Sequence, residues 1–321
     1  MYKVGIDLGE SDIRIGIVDE DYQMVYQDSV VRGEGKNYQD TIKELAELIQ
    51  ESIHRADLNR KKDITDNIVG IGIGCPGAVD AEQGIVVFSD QMKWENVPIM
   101  QELHKYINYP IAISNDANCV ALGEVKAGAA KDVKNMVLLT FKIGVGGGII
   151  YNGRIFEGGH AGGTELGHTI LVRDGKQCAC GRKGCLEAYA SKAALLQQVK
   201  ETSAKTKESL LWKLCENESE KLTTDMIFRA AEEGDAEAKK VIETYISYLG
   251  DGIVDFVNIF RPDKVLLSEA PTNRDESFIK PLNEYLKRHC FAGEKGVIPS
   301  VTCTTLGDKA GMIGASALIE K

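Results

Sequence analysis

An imidazole and three thiols stand close together in this chain: His168 precedes the run Cys178-Ala179-Cys180-Gly181-Arg182-Lys183-Gly184-Cys185. One imidazole with three thiolates is a donor set that structural zinc prefers, and a closed tetrahedron leaves no place for a catalytic water. Gly181 and Gly184 allow the backbone to fold tightly enough for three sulfurs to converge. Zinc held this way braces a loop and takes no part in chemistry. The competing reading is three unconnected thiols, but clustered cysteines usually mark a metal or a disulfide, and a reducing compartment favours the metal. Cys75, Cys119, Cys215, Cys290 and Cys303 are scattered, mostly in apolar segments, and are expected to serve as small core residues.

Other polar groups flank this cluster. Gly158-Gly159-His160-Ala161-Gly162-Gly163-Thr164-Glu165-Leu166-Gly167-His168 leads into it, and Cys185-Leu186-Glu187-Ala188-Tyr189 closes it. Upstream lie the segment Gly70 to Asp80, then Asn115-Asp116-Ala117-Asn118, then the glycine run Gly144-Val145-Gly146-Gly147-Gly148. Taken singly these residues say little. Asp116 reads equally well as a helix N-cap, and Glu165 and Glu187 as surface acids. Taken together, their order and spacing from Asp7 to the closing helix resemble the ROK family of sugar kinases and sugar sensors.

That resemblance implies an α/β fold of the actin-like, ribonuclease-H-like kind, two-lobed, with a sugar in the interdomain cleft. It also implies ATP-dependent phosphorylation of a hexose, glucose or a related aldohexose, at O6. N-acetylmannosamine, allose and fructose are substrates within the family as well. Asp116 matches the general base that takes the proton of the 6-hydroxyl as it attacks the γ-phosphate. Asn115, Asp116, Glu165, His168 and Glu187 match residues that hold the sugar hydroxyls. His168 then serves twice, with one ring nitrogen on zinc and the ring edge toward sugar. Asp7, Gly9, Ser11, Gly144 and Gly146 match the Mg-ATP side. A homodimer is implied by the resemblance alone.

The nucleotide side departs from the family pattern. Asp-Leu-Gly-Gly-Thr is replaced by Asp7-Leu8-Gly9-Glu10-Ser11, and Gly-Thr-Gly by Lys142-Ile143-Gly144. The late segment, usually glycine-rich, is Ser268-Glu269-Ala270-Pro271. A carboxylate about 4 Å from a phosphate oxygen costs roughly 1 to 4 kcal/mol, depending on screening. Either Glu10 and Lys142 pair and partly fill the phosphate site, or Lys142 contacts phosphate while Glu10 helps to hold Mg²⁺. A sugar-binding protein with little or no kinase activity is therefore the alternative to a kinase. DNA binding is disfavoured, because family repressors carry a winged helix ahead of the first strand and this chain starts at that strand.

The elements that must position these groups alternate between strand and helix. Strands are expected at 2–8, 12–19, 23–31, 68–74, 111–114, 136–141, 148–151, 264–267 and 300–303. Ile42, Leu45, Leu48, Ile49 and Ile53 have the spacing of an amphipathic helix, and a long helix is expected over 236–260. Cys75-Pro76-Gly77 should break its strand with a turn. The expected lobes are residues 1–117 and 118–306, with a closing helix over 307–321 packing back on the first.

The chain has 321 residues, 38 basic against 48 acidic groups, and net charge −10. Such an acidic chain has no electrostatic footprint for nucleic acid. No apolar run reaches the roughly 18 to 20 residues of a membrane helix. The first residues already read as a strand and leave no room for a signal peptide, so a cytoplasmic location is expected.

Overall fold

The computed structural model describes residues 1–33, 37–60, 63–141, 144–159, 162–203, 209–295 and 298–319. These fall into two compact units: residues 1–136, 148–164 and 304–321 form the first, and residues 137–147 and 165–303 the second.

In the first unit β1 (Tyr2–Leu8), β2 (Asp12–Val18) and β3 (Met24–Val31) form an antiparallel meander. Then α1 (Tyr38–Arg60) leads to β4 (Ile68–Cys75), which lies parallel to β1. Next come β5 (Ala78–Asp80), β6 (Ile85–Ser89), β7 (Trp94–Val97), α2 (Ile99–Leu103), β8 (Ile111–Asn115) and α3 (Asp116–Ala127). The main sheet has the order β3-β2-β1-β4-β8, and β5-β6-β7 make a small antiparallel sheet. The small sheet was not legible beforehand, because its strands are too short to show a period.

Residues in β4 alternate isoleucine and glycine over Ile71-Gly72-Ile73-Gly74, and strand side chains alternate between faces. Ile71 and Ile73 join Val4 and Ile6 of β1 in one core with Ile42, Leu45, Ile49 and Ile53 of α1. The glycine row faces the closing helix α10 (Lys309–Ala317). A Cβ on Gly5 would lie 1.8 Å from the Met312 carbonyl oxygen, and one on Gly72 only 1.7 Å from that of Ala315. On its other side α10 meets α3 equally closely: a Cβ on Gly314 would stand 1.6 Å from the Cys119 carbonyl oxygen. The fully buried Glu124 of α3 ties this helix to the segment just ahead of α10. Its carboxylate accepts from the amides of Ala129 (2.7 Å), Leu306 (2.9 Å) and Thr305 (3.1 Å).

This packing moves a boundary. The first unit was expected to end at residue 117, but α3 stays with α10 and the unit continues to Met136. The closing helix lies in the first unit.

After β9 (Met136–Thr140), β10 (Gly146–Tyr151) and β11 (Arg154–Ile155), the chain enters the helices of the second unit. They are α4 (Glu187–Ala190), α5 (Lys192–Ser203), α6 (Leu210–Leu214), α7 (Thr224–Glu232) and α8 (Ala236–Phe260). Then follow β12 (Lys264–Ser268), α9 (Lys280–His289) and β13 (Ser300–Cys303), and the second large sheet has the order β11-β10-β9-β12-β13. Tyr245 of α8 is fully buried and donates its hydroxyl to the Ala190 carbonyl at 2.6 Å, which seats α8 against α4. Among the described residues no helix is long and apolar enough to cross a membrane.

Candidate functional site

The parallel strands β1, β4 and β8 end together, with Asp7 beside Gly74, Gly74 beside Ser114 and Cys75 beside Asn115. Asn115 is the N-cap of α3: its Oδ1 accepts from the amides of Ala117 (2.9 Å) and Asn118 (3.3 Å). Its Nδ2 donates to the Gly77 carbonyl at 3.1 Å, in a turn where Gly77 takes φ +101° as the Pro-Gly signal requires. The capping role open to Asp116 thus belongs to its neighbour. Asp116 becomes the first helical residue, and the helix N-terminus is a favourable place for a negative charge.

Two buried thiols lie among the acids of this unit. Burial pushes the Cys75 thiol up, helped by the charges of Asp116 and Asp7, while Arg32 pulls it down. Cys119 is likewise raised, by burial first and then by Asp7, Asp116, Cys75 and Glu157. Asp7, Asp116 and Glu157 are therefore brought together in the first unit. Sequence reasoning missed Glu157, which accepts from the buried Ser114 hydroxyl at 3.1 Å. Its one signal was its place immediately before Gly158-Gly159.

Gly9 and Ser11 lie in the tight turn after β1. The Gly9 amide donates to the Asp12 carbonyl at 2.8 Å, and the Ser11 carbonyl accepts from the Arg32 amide at 2.8 Å. The Glu10 carbonyl accepts from Arg32 Nε, also at 2.8 Å. A guanidinium therefore sits on the loop that carries the unexpected Glu10, and its terminal nitrogens bond no other described residue. Arg32, too, was missed, since it stands far from the loop in sequence. Lys142 and Ile143 lie outside the described residues.

In the second unit the segment after His168 folds back on itself. The Leu186 amide donates to the Thr169 carbonyl (2.9 Å), that of Leu171 to Gly184 (2.8 Å), and Ile170 bridges Cys185. Gly184 takes φ +87°, and a Cβ there would lie 1.8 Å from the Val172 carbonyl oxygen. The hairpin brings the donor atoms of His168, Cys178, Cys180 and Cys185 within 4.8 Å of one another. Cys178 Sγ lies 3.7 Å from His168 Nδ1, and the sulfurs of Cys180 and Cys185 are 3.6 Å apart. A tetrahedron with Zn–S of about 2.3 Å and Zn–N of about 2.0 Å has edges of roughly 3.5 to 3.8 Å, so this donor set fits zinc. Burial pushes the Cys178 and Cys185 thiols up, and a hydrogen bond from the Arg182 backbone draws Cys180 down.

Glu187 joins this cluster to the glycine loop. Its Oε1 lies 3.4 Å from Cys178 Sγ, and its Oε2 accepts from the Val145 amide at 3.0 Å. A Cβ on Gly144 would stand 1.9 Å from Oε2, so only glycine leaves room for the carboxylate. Gly146 opens β10, and Glu165 is exposed just ahead of the short 3₁₀ turn that carries His168. Beyond β12, Glu269 has φ +49°, a left-handed conformation that suits the glycine usual in this segment.

A family model described as "ROK family" matches residues 3–321. The glucokinase of Thermotoga maritima is 32% identical over 324 residues, covering 99% of this chain and 97% of its own. The xylose repressor of Caldicellulosiruptor bescii is 31% identical over 318 residues, 98% of this chain and 77% of the repressor. Among solved structures, a ROK family glucokinase from Streptomyces griseus, in complex with glucose and AMPPNP, matches with a TM-score of 0.77. It is 27% identical and covers 99% of both chains.

Proposed function

The chain belongs to the ROK family, with its actin-like α/β fold, and we propose that within it this protein is an ATP-dependent kinase of a hexose, glucose or a related aldohexose, acting at O6. The observation that carries the reading is Asp116, which Asn115 relieves of capping and which lies among Asp7 and Glu157 in the first unit. In this reading the Asp116 carboxylate accepts the proton of the 6-hydroxyl and orients its oxygen toward the γ-phosphate. Asn115, Glu165, His168 and Glu187 hold sugar hydroxyls. Asp7, Gly9, Ser11, Gly144 and Gly146 form the Mg-ATP side. His168, Cys178, Cys180 and Cys185 hold zinc, which supplies a rigid brace and no reactive position. Because Glu187 contacts both Cys178 and the Val145 amide, steadying the metal loop also steadies the glycine loop.

A second reading, a sugar-binding protein with little or no phosphoryl transfer, is favoured by Glu10 and Glu269 at two of the places where the family meets nucleotide. The similarity to a xylose repressor is compatible with it. One experiment separates the two: titration with a panel of hexoses and with Mg-ATP, alongside turnover of wild type and Asp116→Asn. The kinase reading expects measurable phosphorylation, lowered about 10²-fold or more by the substitution while hexose affinity survives. A variant keeping more than about a tenth of wild-type turnover would remove Asp116 from the role of base. Hexose binding without Mg-ATP binding would establish the second reading instead.

A further inference from the structure

The second unit has a cleft of about 170 Å³ apart from the residues assigned above, walled by α5, α8 and the start of the metal loop. Gln198 in its wall is only 6% exposed. The Gln198 Nε2 donates to the Tyr189 carbonyl at 2.8 Å, yet its Oε1 has no hydrogen-bond partner among the described residues. A buried amide oxygen with an empty lone pair is a position waiting for a donor. Lys176 Nζ pairs with Glu201 at 2.8 Å, which fixes one ammonium and one carboxylate in the wall. Lys240, exposed on α8, forms no ion pair with any described residue and adds a second positive charge. The half-buried Tyr248 contributes an aromatic wall, its ring tilted by 48° against that of Tyr189 with centroids 4.7 Å apart.

We propose that this cleft binds a phosphorylated monosaccharide. A sugar hydroxyl donates to Gln198 Oε1, a second meets the Glu201 carboxylate, and the phosphate meets Lys240 with Lys176 beside it. The sugar's carbon skeleton lies against Tyr248. Charged groups recognising a phosphate, an orphaned amide acceptor recognising a hydroxyl and an aromatic wall together suit this class of ligand. The cleft is smaller than the roughly 300 to 1,000 Å³ of pockets for drug-sized ligands, so a nucleotide is a poor fit.

Its walls are also tied to the metal loop. The Lys176 amide donates to the Tyr189 hydroxyl at 2.6 Å, and the Lys176 carbonyl accepts from the Gly184 amide at 2.8 Å. An occupant that fixes Lys176 and Tyr248 therefore slows the opening of the loop that carries Cys178 and Cys185.

The test is calorimetric titration of the full chain with glucose 6-phosphate and, separately, inorganic phosphate, each with glucose present in excess. The sugar phosphate is expected to bind, Lys240→Gln to weaken it at least tenfold, and Lys240→Arg to retain it. Inorganic phosphate is expected to bind at least tenfold more weakly than the sugar phosphate. Hydrogen exchange at residues 176–185 should slow on binding in wild type and not in Lys240→Gln. The proposal is overturned if glucose 6-phosphate does not bind, if Lys240→Gln binds it as wild type does, or if inorganic phosphate binds equally well. Lys240 lies outside the proposed hexose and nucleotide machinery, so its variants separate this cleft from that site whether or not the protein proves to be a kinase.

Discussion

At the scale of single residues, the first unit shows how a helix start divides labour between neighbours. Asn115 spends its amide on the α3 cap and the Gly77 carbonyl, which makes Asp116 the first helical residue and not the cap. Arg32 performs a similar service for the first loop, bringing positive charge to the backbone of Glu10. If that guanidinium offsets the Glu10 carboxylate where nucleotide binds, Arg32→Ala should weaken Mg-ATP binding at least about tenfold, since hydrogen bonds to charged groups contribute about 1.5 to 3 kcal/mol. Hexose affinity should be unchanged, and an unaltered Mg-ATP isotherm would separate Arg32 from nucleotide. Glu269 makes a different point. Its left-handed backbone costs an L residue about 1 to 2 kcal/mol, partly offset by the greater unfolded-state freedom of glycine. Glu269→Gly should therefore raise stability by up to about 1 kcal/mol, read as a higher midpoint in urea. A lower midpoint would mean that the Glu269 side chain makes a compensating contact.

At the scale of elements, the metal loop is a hairpin tied by backbone hydrogen bonds but with slight apolar burial outside Cys178, Cys185 and Leu186. Such a loop needs a cross-link, and the four converging donors provide one when a cation joins them. Purified protein is expected to carry one zinc per chain by metal analysis, with thiol titration showing Cys178, Cys180 and Cys185 unreactive until a chelator is added. Cys180→Ser should lower zinc affinity and hexose affinity together, because Glu187 contacts both Cys178 and the glycine loop. Hexose binding at wild-type strength in a zinc-free Cys180→Ser protein would break that connection.

At the scale of the whole molecule, the glycine row of β1 and β4 lets α10 lie directly on the sheet, and Gly123 and Gly314 let α3 lie directly on α10. These approaches set where β1, β4 and α3 end, and so where Asp7, Cys75 and Asp116 stand. The Cβ added by Gly72→Ala would meet the Ala315 carbonyl oxygen at 1.7 Å, which is backbone and has little room to give. Overpacking typically costs about 1 to 3 kcal/mol, so this variant should unfold at lower urea and show reduced turnover from a displaced Asp116. Wild-type stability in Gly72→Ala would mean that α10 can lift away without penalty.

Much of the architecture was legible in one dimension. A period of three to four marked α1 and an apolar side marked α8, because burial on one face imposes that pattern, while β4 stood out as a short apolar run and is buried on both faces. The convergence of His168, Cys178, Cys180 and Cys185 was legible because cysteines so rarely cluster without a shared purpose. Other features depended on close approach between segments distant in sequence, which no local pattern encodes. The glycines of β4 look like any buried strand until α10 is laid across them. Arg32 gains meaning only when β3 returns beside the Glu10 turn, and Glu157 only when it reaches Ser114. The boundary between units, expected after residue 117, was decided by α3 packing on α10. Residue types and spacing thus determined which chemistry was available, and tertiary packing decided which neighbour takes which task, because the turn at Gly77 and the start of α3 make Asn115 the cap and Asp116 the first helical residue.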